Sequence, residues 1–151
     1  MHFITGGAFN GKRKWVKRNY AMDQCVWLTA YEADSLTMPP NADIPSVVVL
    51  EGLEEEIHTR INPVLSPDTI RQDVMNQIDP WLAWEAADSH RRLVIIGTDI
   101  SKGIVPMEKR DRLWRDVTGW VYQDLVERAE RADVIWYGME QTIKRNDRKG
   151  K

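Results

Sequence analysis

The chain has 151 residues, of which 42% are hydrophobic, and a formal net charge of −2 at pH 7. This length suits a single domain with a buried core, and the nearly balanced charge excludes an overall attraction to nucleic acid or to an anionic membrane. One cysteine excludes an internal disulfide, and no stretch reaches the roughly 20 apolar residues of a membrane span, so we expect a cytoplasmic protein without nucleic-acid or membrane partners.

The chain opens with a short apolar run that leads into a glycine-bounded loop. Phe3–Thr5 has the composition of a buried strand, and the next seven residues follow the pattern Gly-x4-Gly-Lys. Small residues let backbone N–H groups close around a phosphate, while the lysine and the N-terminus of the following helix add positive potential. The pattern predicts a nucleotide-binding P-loop, with a structural glycine turn as the alternative. The predicted binding residues are Gly6, Gly7, Ala8, Phe9, Asn10, Gly11, Lys12 and Arg13.

Arg13 stands where a P-loop carries the Ser or Thr whose hydroxyl binds magnesium. This replacement weakens the case for ordinary ATP-driven chemistry more than the case for nucleotide binding. We therefore predict ATP or GTP as the ligand and keep Mg²⁺ as an open expectation. Arg13 either pairs with a phosphate or points to solvent, and the basic run from Lys12 to Arg18 either attracts anions or forms a solvated helix face.

Short apolar runs bounded by turn residues recur along the chain and alternate with helical segments. After a first helix from Gly11 or Lys12 to about Ala21, the runs Cys25–Thr29, Val47–Leu50, Leu93–Ile96 and Val134–Tyr137 predict buried strands. This alternation indicates an α/β fold with a mainly parallel sheet and helices on both faces. We predict one domain over residues 1–143 and a polar C-terminal tail over 144–151.

Two longer helices are predicted between the later strands. Ser66 and Pro67 form a good helix start, and Asp79-Pro80 predicts either a kink or a fresh start before an end near Ala87. The next helix is predicted from about Glu108 to Arg131, and its apolar residues recur every four positions to form a buried stripe. The stripe residues are Leu113, Val117, Val121, Leu125 and Ala129. Residues 31–45 predict an irregular loop.

Two carboxylates follow buried strands and are candidate catalytic groups. Glu51 ends the run Val47–Leu50, where P-loop proteins hold the magnesium shell or polarise a water, so it is also the candidate metal ligand. Asp99 ends another run, at the edge where open α/β sheets bind ligands. The alternatives are an ordinary loop carboxylate for Glu51 and a turn-forming aspartate for Asp99. The three histidines lack metal-ligand spacing and are expected to be structural or exposed.

A longer string resembles a known family. The chain is similar to the adenosylcobinamide kinase / adenosylcobinamide-phosphate guanylyltransferase family of cobalamin biosynthesis. The similarity lies in Thr5-Gly6-Gly7-Ala8, Gly11-Lys12, Gly97-Thr98-Asp99-Ile100-Ser101-Lys102-Gly103-Ile104-Val105-Pro106, Trp114-Arg115-Asp116, Gly119, Gln123, Ala132-Asp133 and Gly138.

The resemblance implies a RecA-like P-loop fold, a transferase acting on a nucleotide and a corrinoid, and a homo-oligomer. It implies phosphorylation of the cobinamide side-chain hydroxyl and then GMP transfer through a histidine. Lys12, Glu51 and Asp99 are the implied catalytic positions, although the family carries Ser or Thr at Arg13, Asp at Glu51 and Glu at Asp99. The family's histidine segment is missing from residues 31–45, so guanylyl transfer is in doubt. The alternative is a non-catalytic nucleotide-binding protein derived from this scaffold.

Overall fold

The computed structural model describes residues 1–39, 43–101, 103 and 106–146. Within these residues, six strands and four α-helices alternate along the chain. They are β1 (His2–Gly6), α1 (Lys12–Asn19), β2 (Cys25–Thr29), β3 (Val47–Glu51), α2 (Leu53–Arg60), α3 (Pro67–Ala86), β4 (Arg92–Thr98), α4 (Lys109–Arg128), β5 (Arg131–Trp136) and β6 (Met139–Arg145).

The strands form one mainly parallel sheet with the order β2-β3-β4-β1-β5-β6. All neighbouring pairs are parallel except β5 and β6, which are antiparallel. β1 therefore lies inside the sheet, with β4 separating it from β3. Since the strands from β2 to β5 run parallel, their carboxyl ends share one edge, and the predicted α/β class is confirmed.

Helices cover both faces of the sheet because the central strands bury both sets of alternating side chains. In β3, Val48 and Leu50 join the core under α2, α3 and α4, whereas Val47 and Val49 join a second core. That second core lies under α1, which contributes its buried side chains Trp15 and Val16.

Most predicted elements are observed, with corrections at their ends. α4 ends at Arg128 rather than Arg131, because β5 already begins at Arg131 and pairs there with β1. β5 accordingly starts before the predicted Val134 and stops before Tyr137. Helix α3 continues through Pro80, so no fresh start divides it. Pro80 and Asn76, whose carbonyl loses its helical hydrogen bond, are both exposed residues.

The hairpin between β5 and β6 was not predicted. Tyr137 and Gly138 both have positive φ angles, 52° and 76°, as a two-residue type I′ turn requires. β6 extends to Arg145, so the first two residues of the predicted tail belong to the sheet, and residues 147–151 lie outside the described part. Among the described residues, no helix combines the length and apolar character needed to cross a bilayer.

Candidate functional site

A cleft of about 840 Å³ opens at the carboxyl edge of the sheet. The chain leaves β1 toward the face covered by α1, and it leaves β3 and β4 toward the face covered by the other helices. Such a divergence of connections creates a crevice where open α/β sheets bind ligands. The cleft is lined by Ala8, Phe9, Gly11, Lys12, Arg13, Lys14, Lys17, Tyr31, Glu51, Glu54, Ile96 and Thr98.

The loop between β1 and α1 forms one wall of the cleft and has a backbone that depends on glycine. Gly6 has a φ of 144°, and a Cβ there would lie 2.4 Å from the carbonyl oxygen of Ile135. The loop is fastened at both ends, because Asp99 N–H donates to Gly6 O at 2.8 Å and Gly138 N–H donates to Asn10 O at 2.9 Å. The neighbouring strands β4 and β5 therefore hold the loop in place.

The N-terminus of α1 faces this loop without a side-chain cap. Gly11 occupies the capping position with a φ of 88°, so the first backbone N–H groups of the helix have neither a helical partner nor a capping side chain. These groups, together with the helix dipole, form a ready site for an anion. Phosphate binding by this loop, which the Gly-x4-Gly-Lys spacing predicts, stays a prediction.

The amine of Lys12 folds back over the loop and donates to Gly7 O at 2.8 Å. The residue is only 8% exposed, and this burial lowers the pKa of the amine, against the opposing effect of Glu54, Glu51 and Asp99. Lys12 is therefore held close to three carboxylates and to the helix N-terminus, as a phosphate-binding lysine would be.

Arg13, near the start of α1, is bound to Glu51 at the end of β3. Strand β4 lies between β3 and β1, the strand that leads into α1. Arg13 Nε donates to Glu51 Oε2 at 2.9 Å and Arg13 Nη2 to Oε1 at 2.6 Å, while Trp27 Nε1 donates to Oε1 at 3.2 Å. Burial alone would raise the pKa of Glu51, but the hydrogen bonds from Arg13, Trp27 and Thr29 outweigh it and the pKa lies below its usual value. Neither predicted orientation of Arg13, toward phosphate or toward solvent, includes this pairing.

The predicted role of Glu51 as a magnesium ligand does not fit this arrangement. Magnesium requires oxygen ligands with free lone pairs in octahedral geometry. Both oxygens of Glu51 already accept hydrogen bonds. The position after Lys12, where a P-loop supplies a hydroxyl to the metal, carries the guanidinium of Arg13 instead. Among the described residues, no group of three or more histidine, cysteine, aspartate or glutamate side chains could hold a metal ion.

Glu54 is a site residue that sequence reasoning missed, as are Tyr31 and Thr98, which also line the cleft. It is 6% exposed, and its carboxylate accepts hydrogen bonds from the Thr98 N–H at 2.9 Å and from the Tyr31 hydroxyl. Burial, followed by the bond to Glu54, raises the pKa of Tyr31, so the phenol stays a hydrogen-bond donor. The signal was present in Leu53 and Ile57, whose spacing predicts a helix after β3 with Glu54 in its first turn.

Asp99 lies at the end of β4 but uses its carboxylate locally. Its Oδ1 accepts from the N–H of Ser101 at 2.8 Å and from the Ser101 hydroxyl at 2.5 Å. Asp99 is therefore a turn-forming aspartate, and it does not line the cleft, although it lies near enough to influence Lys12. Lys102, Ile104 and Val105, which belong to the string that carries the family resemblance, lie outside the described residues.

None of the three histidines lines the cleft. His2 lies at the opposite end of β1 and bonds to Tyr20 and to the buried Asp133. His58 packs its ring against Trp114 at 4.7 Å between centroids, and His90 has an exposed side chain that bonds to Asp88. The structural role predicted for them from the sequence agrees with these contacts.

Comparison with known proteins bears on the part of the chain that follows the loop. A family model described as cobinamide kinase / cobinamide phosphate guanyltransferase matches residues 45–143. The matched segment contains Glu51, Glu54 and Asp99 but neither the glycine loop nor α1. A search of the curated proteins found no match to this chain.

Proposed function

The chain belongs to the cobinamide kinase / cobinamide phosphate guanyltransferase family, and we propose that it binds ATP or GTP in the cleft and phosphorylates the side-chain hydroxyl of cobinamide. The family match carries this proposal, because it covers the segment that brings the carboxylates of Glu51 and Glu54 to the cleft. The glycine loop lies outside the match and supports the proposal by its geometry alone.

The charges around the cleft favour a triphosphate. The uncapped N-terminus of α1 presents backbone N–H groups to it, and the Lys12 amine lies beside them. Four basic side chains, Lys12, Arg13, Lys14 and Lys17, line the cleft against two carboxylates, Glu51 and Glu54. This excess of positive charge would offset the charge of the phosphates and of the transferring group.

The reaction is a transfer of the terminal phosphoryl group. The cobinamide hydroxyl oxygen forms a bond to the terminal phosphorus as the bond from that phosphorus to the bridging oxygen breaks, and a nucleoside diphosphate leaves. The hydroxyl proton passes to water in the open cleft, because Asp99 does not line the cleft and its Oδ1 already accepts two hydrogen bonds from Ser101. Positioning and charge stabilisation by Lys12 would supply most of the acceleration.

Guanylyl transfer through a histidine is not part of the proposal. The nucleophile would have to reach the phosphate bound at the loop, and no histidine of the chain lines the cleft. We therefore propose the kinase activity alone.

A second candidate function is nucleotide binding without catalysis, in which the bound nucleotide controls the interaction with a partner protein. The pairing of Arg13 with Glu51 favours this alternative, because it occupies the carboxylate that would otherwise organise the metal of a phosphoryl-transfer site. A nucleotide-responsive protein requires binding but no turnover.

One experiment separates the two candidates. Purified protein is incubated with cobinamide and either ATP or GTP, the product is followed by mass spectrometry, and nucleotide binding is measured in parallel by calorimetry. We expect phosphocobinamide from the wild type and a loss of at least about tenfold in rate for Lys12→Met. The matched control is Lys109→Met, which makes the same change at an exposed lysine outside the cleft. Binding without product would select the second candidate, and absence of both would contradict each.

The homo-oligomer expected from the family resemblance stays a prediction. Light scattering on the eluate of a sizing column measures the molar mass directly, and a monomer at all protein concentrations would contradict it.

A further inference from the structure

Arg13 and Glu51 form a closed unit at the position where a P-loop site assembles its metal. Arg13 directly follows the phosphate-binding Lys12, and Glu51 ends the strand that carries the metal-organising acid in such sites. The guanidinium and the carboxylate make two parallel hydrogen bonds of 2.9 and 2.6 Å. This bidentate geometry is the strongest that the two groups can adopt.

Both oxygens of Glu51 already accept hydrogen bonds within the protein. A carboxylate offers about four lone-pair sites on its two oxygens. Arg13 fills one on each oxygen, and Trp27 Nε1 fills a second on Oε1. A cation could reach Glu51 only by displacing these donors, and Glu51 is itself only 4% exposed.

The charge that a metal would bring is already provided. Arg13 neutralises Glu51, while its side chain stays 48% exposed and lines the cleft beside Lys12. The pair uses Nε and Nη2, and Nη1 bonds to no other described residue. A planar guanidinium with free N–H groups is well suited to phosphate oxygens.

We infer that the Arg13 guanidinium takes the place of a protein-bound magnesium ion, so that this chain holds a nucleoside triphosphate without donating any ligand to a metal. The inference rests on the proposed nucleotide binding, and it concerns the ligands that the protein itself supplies. It predicts that nucleotide affinity is set by Arg13 and Lys12 and not by the magnesium concentration.

The first test is calorimetric titration with GTP in excess magnesium and again in EDTA. We expect the wild-type affinity in EDTA to lie within about threefold of that in magnesium, or to exceed it. Arg13→Ser restores the usual hydroxyl and should become at least about tenfold weaker in EDTA than in magnesium. Arg110→Ser is the matched control at an exposed arginine of α4, outside the cleft, and should behave as the wild type.

The second test detects metal at Glu51 without requiring nucleotide. Trp27 Nε1 lies 3.2 Å from Glu51 Oε1, so paramagnetic Mn²⁺ held by Glu51 would broaden the Trp27 indole resonance. Trp27→Phe assigns this signal among the seven tryptophans. We expect no selective broadening in the GTP-free wild type, and selective broadening in GTP-free Arg13→Ser.

The outcomes separate this inference from the proposed function. Three results would each overturn the inference. They are a wild-type affinity that falls tenfold in EDTA, selective Mn²⁺ broadening of Trp27 in the GTP-free wild type, and an Arg13→Ser variant whose affinity does not depend on magnesium. If the wild type binds no GTP under either condition, the proposed function fails, and the Mn²⁺ spectrum of the free protein still decides whether Glu51 accepts a metal. Arg13→Lys, which keeps the cation but loses the second hydrogen bond, should retain EDTA-resistant binding if Arg13→Ser does not fold.

Discussion

Removing either partner of the Arg13–Glu51 pair should destabilise the protein, and by different amounts. Arg13→Ala leaves a carboxylate that is 4% exposed with only neutral donors, Trp27 and Thr29. Glu51→Gln leaves a guanidinium that is 48% exposed and can be hydrated, while the amide oxygen still accepts from Trp27. Arg13→Ala, which leaves the buried Glu51 carboxylate without its charged partner, is therefore more costly than Glu51→Gln.

The magnitude follows from the burial of the two groups. A hydrogen bond to a charged group contributes about 1.5–3 kcal/mol, and solvent screening of the half-exposed Arg13 reduces the contribution of the pair toward the lower end. We expect Arg13→Ala to cost about 1.5–2.5 kcal/mol and Glu51→Gln about 1 kcal/mol. In the double variant the two costs should not add, with a coupling energy of about 1 kcal/mol.

Urea unfolding of the wild type, the two single variants and the double variant measures these differences, and its pH dependence tests their cause. The pKa of Glu51 is lowered in the folded protein, so its contribution is fully present above the unfolded-state pKa and is lost as the pH falls through the folded value. The deficit of Arg13→Ala at neutral pH should therefore shrink below about pH 4. The reasoning would be refuted if Arg13→Ala were as stable as the wild type at neutral pH. It would also be refuted if the difference in unfolding free energy stayed unchanged in acid.

Three further predictions concern the rest of the fold. Gly119→Ala should stabilise the protein by about 0.5–1 kcal/mol in urea unfolding, because its Cβ meets nothing within 4 Å inside α4. Gly97→Ala should destabilise it by more than about 2 kcal/mol, because its Cβ would lie 2.3 Å from the hydroxyl of the partly buried Tyr122. Equal stability of these two variants would contradict the packing. Burial opposes ionisation of Asp133, but His2 and Thr142 lower its pKa below the usual value, so its stabilisation is lost as the pH falls through that value. Asp133→Asn should accordingly show a weaker loss of stability in acid, measured as the urea midpoint against pH.

The sequence predicted the strands that the sheet buries on both faces. β1, β3 and β4 were found from apolar runs, because polar side chains are unfavourable on both faces of a central parallel strand. β2, which is half-buried at the edge of the sheet, was also marked by an apolar run. β6 was missed for the opposite reason. Apart from Lys144, its residues are exposed, including Ile143 at 53%, so no hydrophobic pattern marks an edge strand that is held mainly by backbone pairing with β5.

The glycine loop was also available from the sequence, since the positive φ angles that favour glycine at positions 6 and 11 are a local property. Both residues have positive φ angles, and the Lys12 amine reaches back only five positions to Gly7. Local geometry of this kind depends on neighbouring residues, so spacing alone is informative.

The partner of Arg13 depended on the tertiary structure. Arg13 and Glu51 lie 38 positions apart, and they meet because the sheet order places β4 alone between β1 and β3 while α1 extends across that gap. The sequence determined that a basic residue replaces the hydroxyl and that an acid ends β3. Only the packing of those strands decided that the two charges neutralise each other, since strand order is set by long-range contacts that no local pattern records.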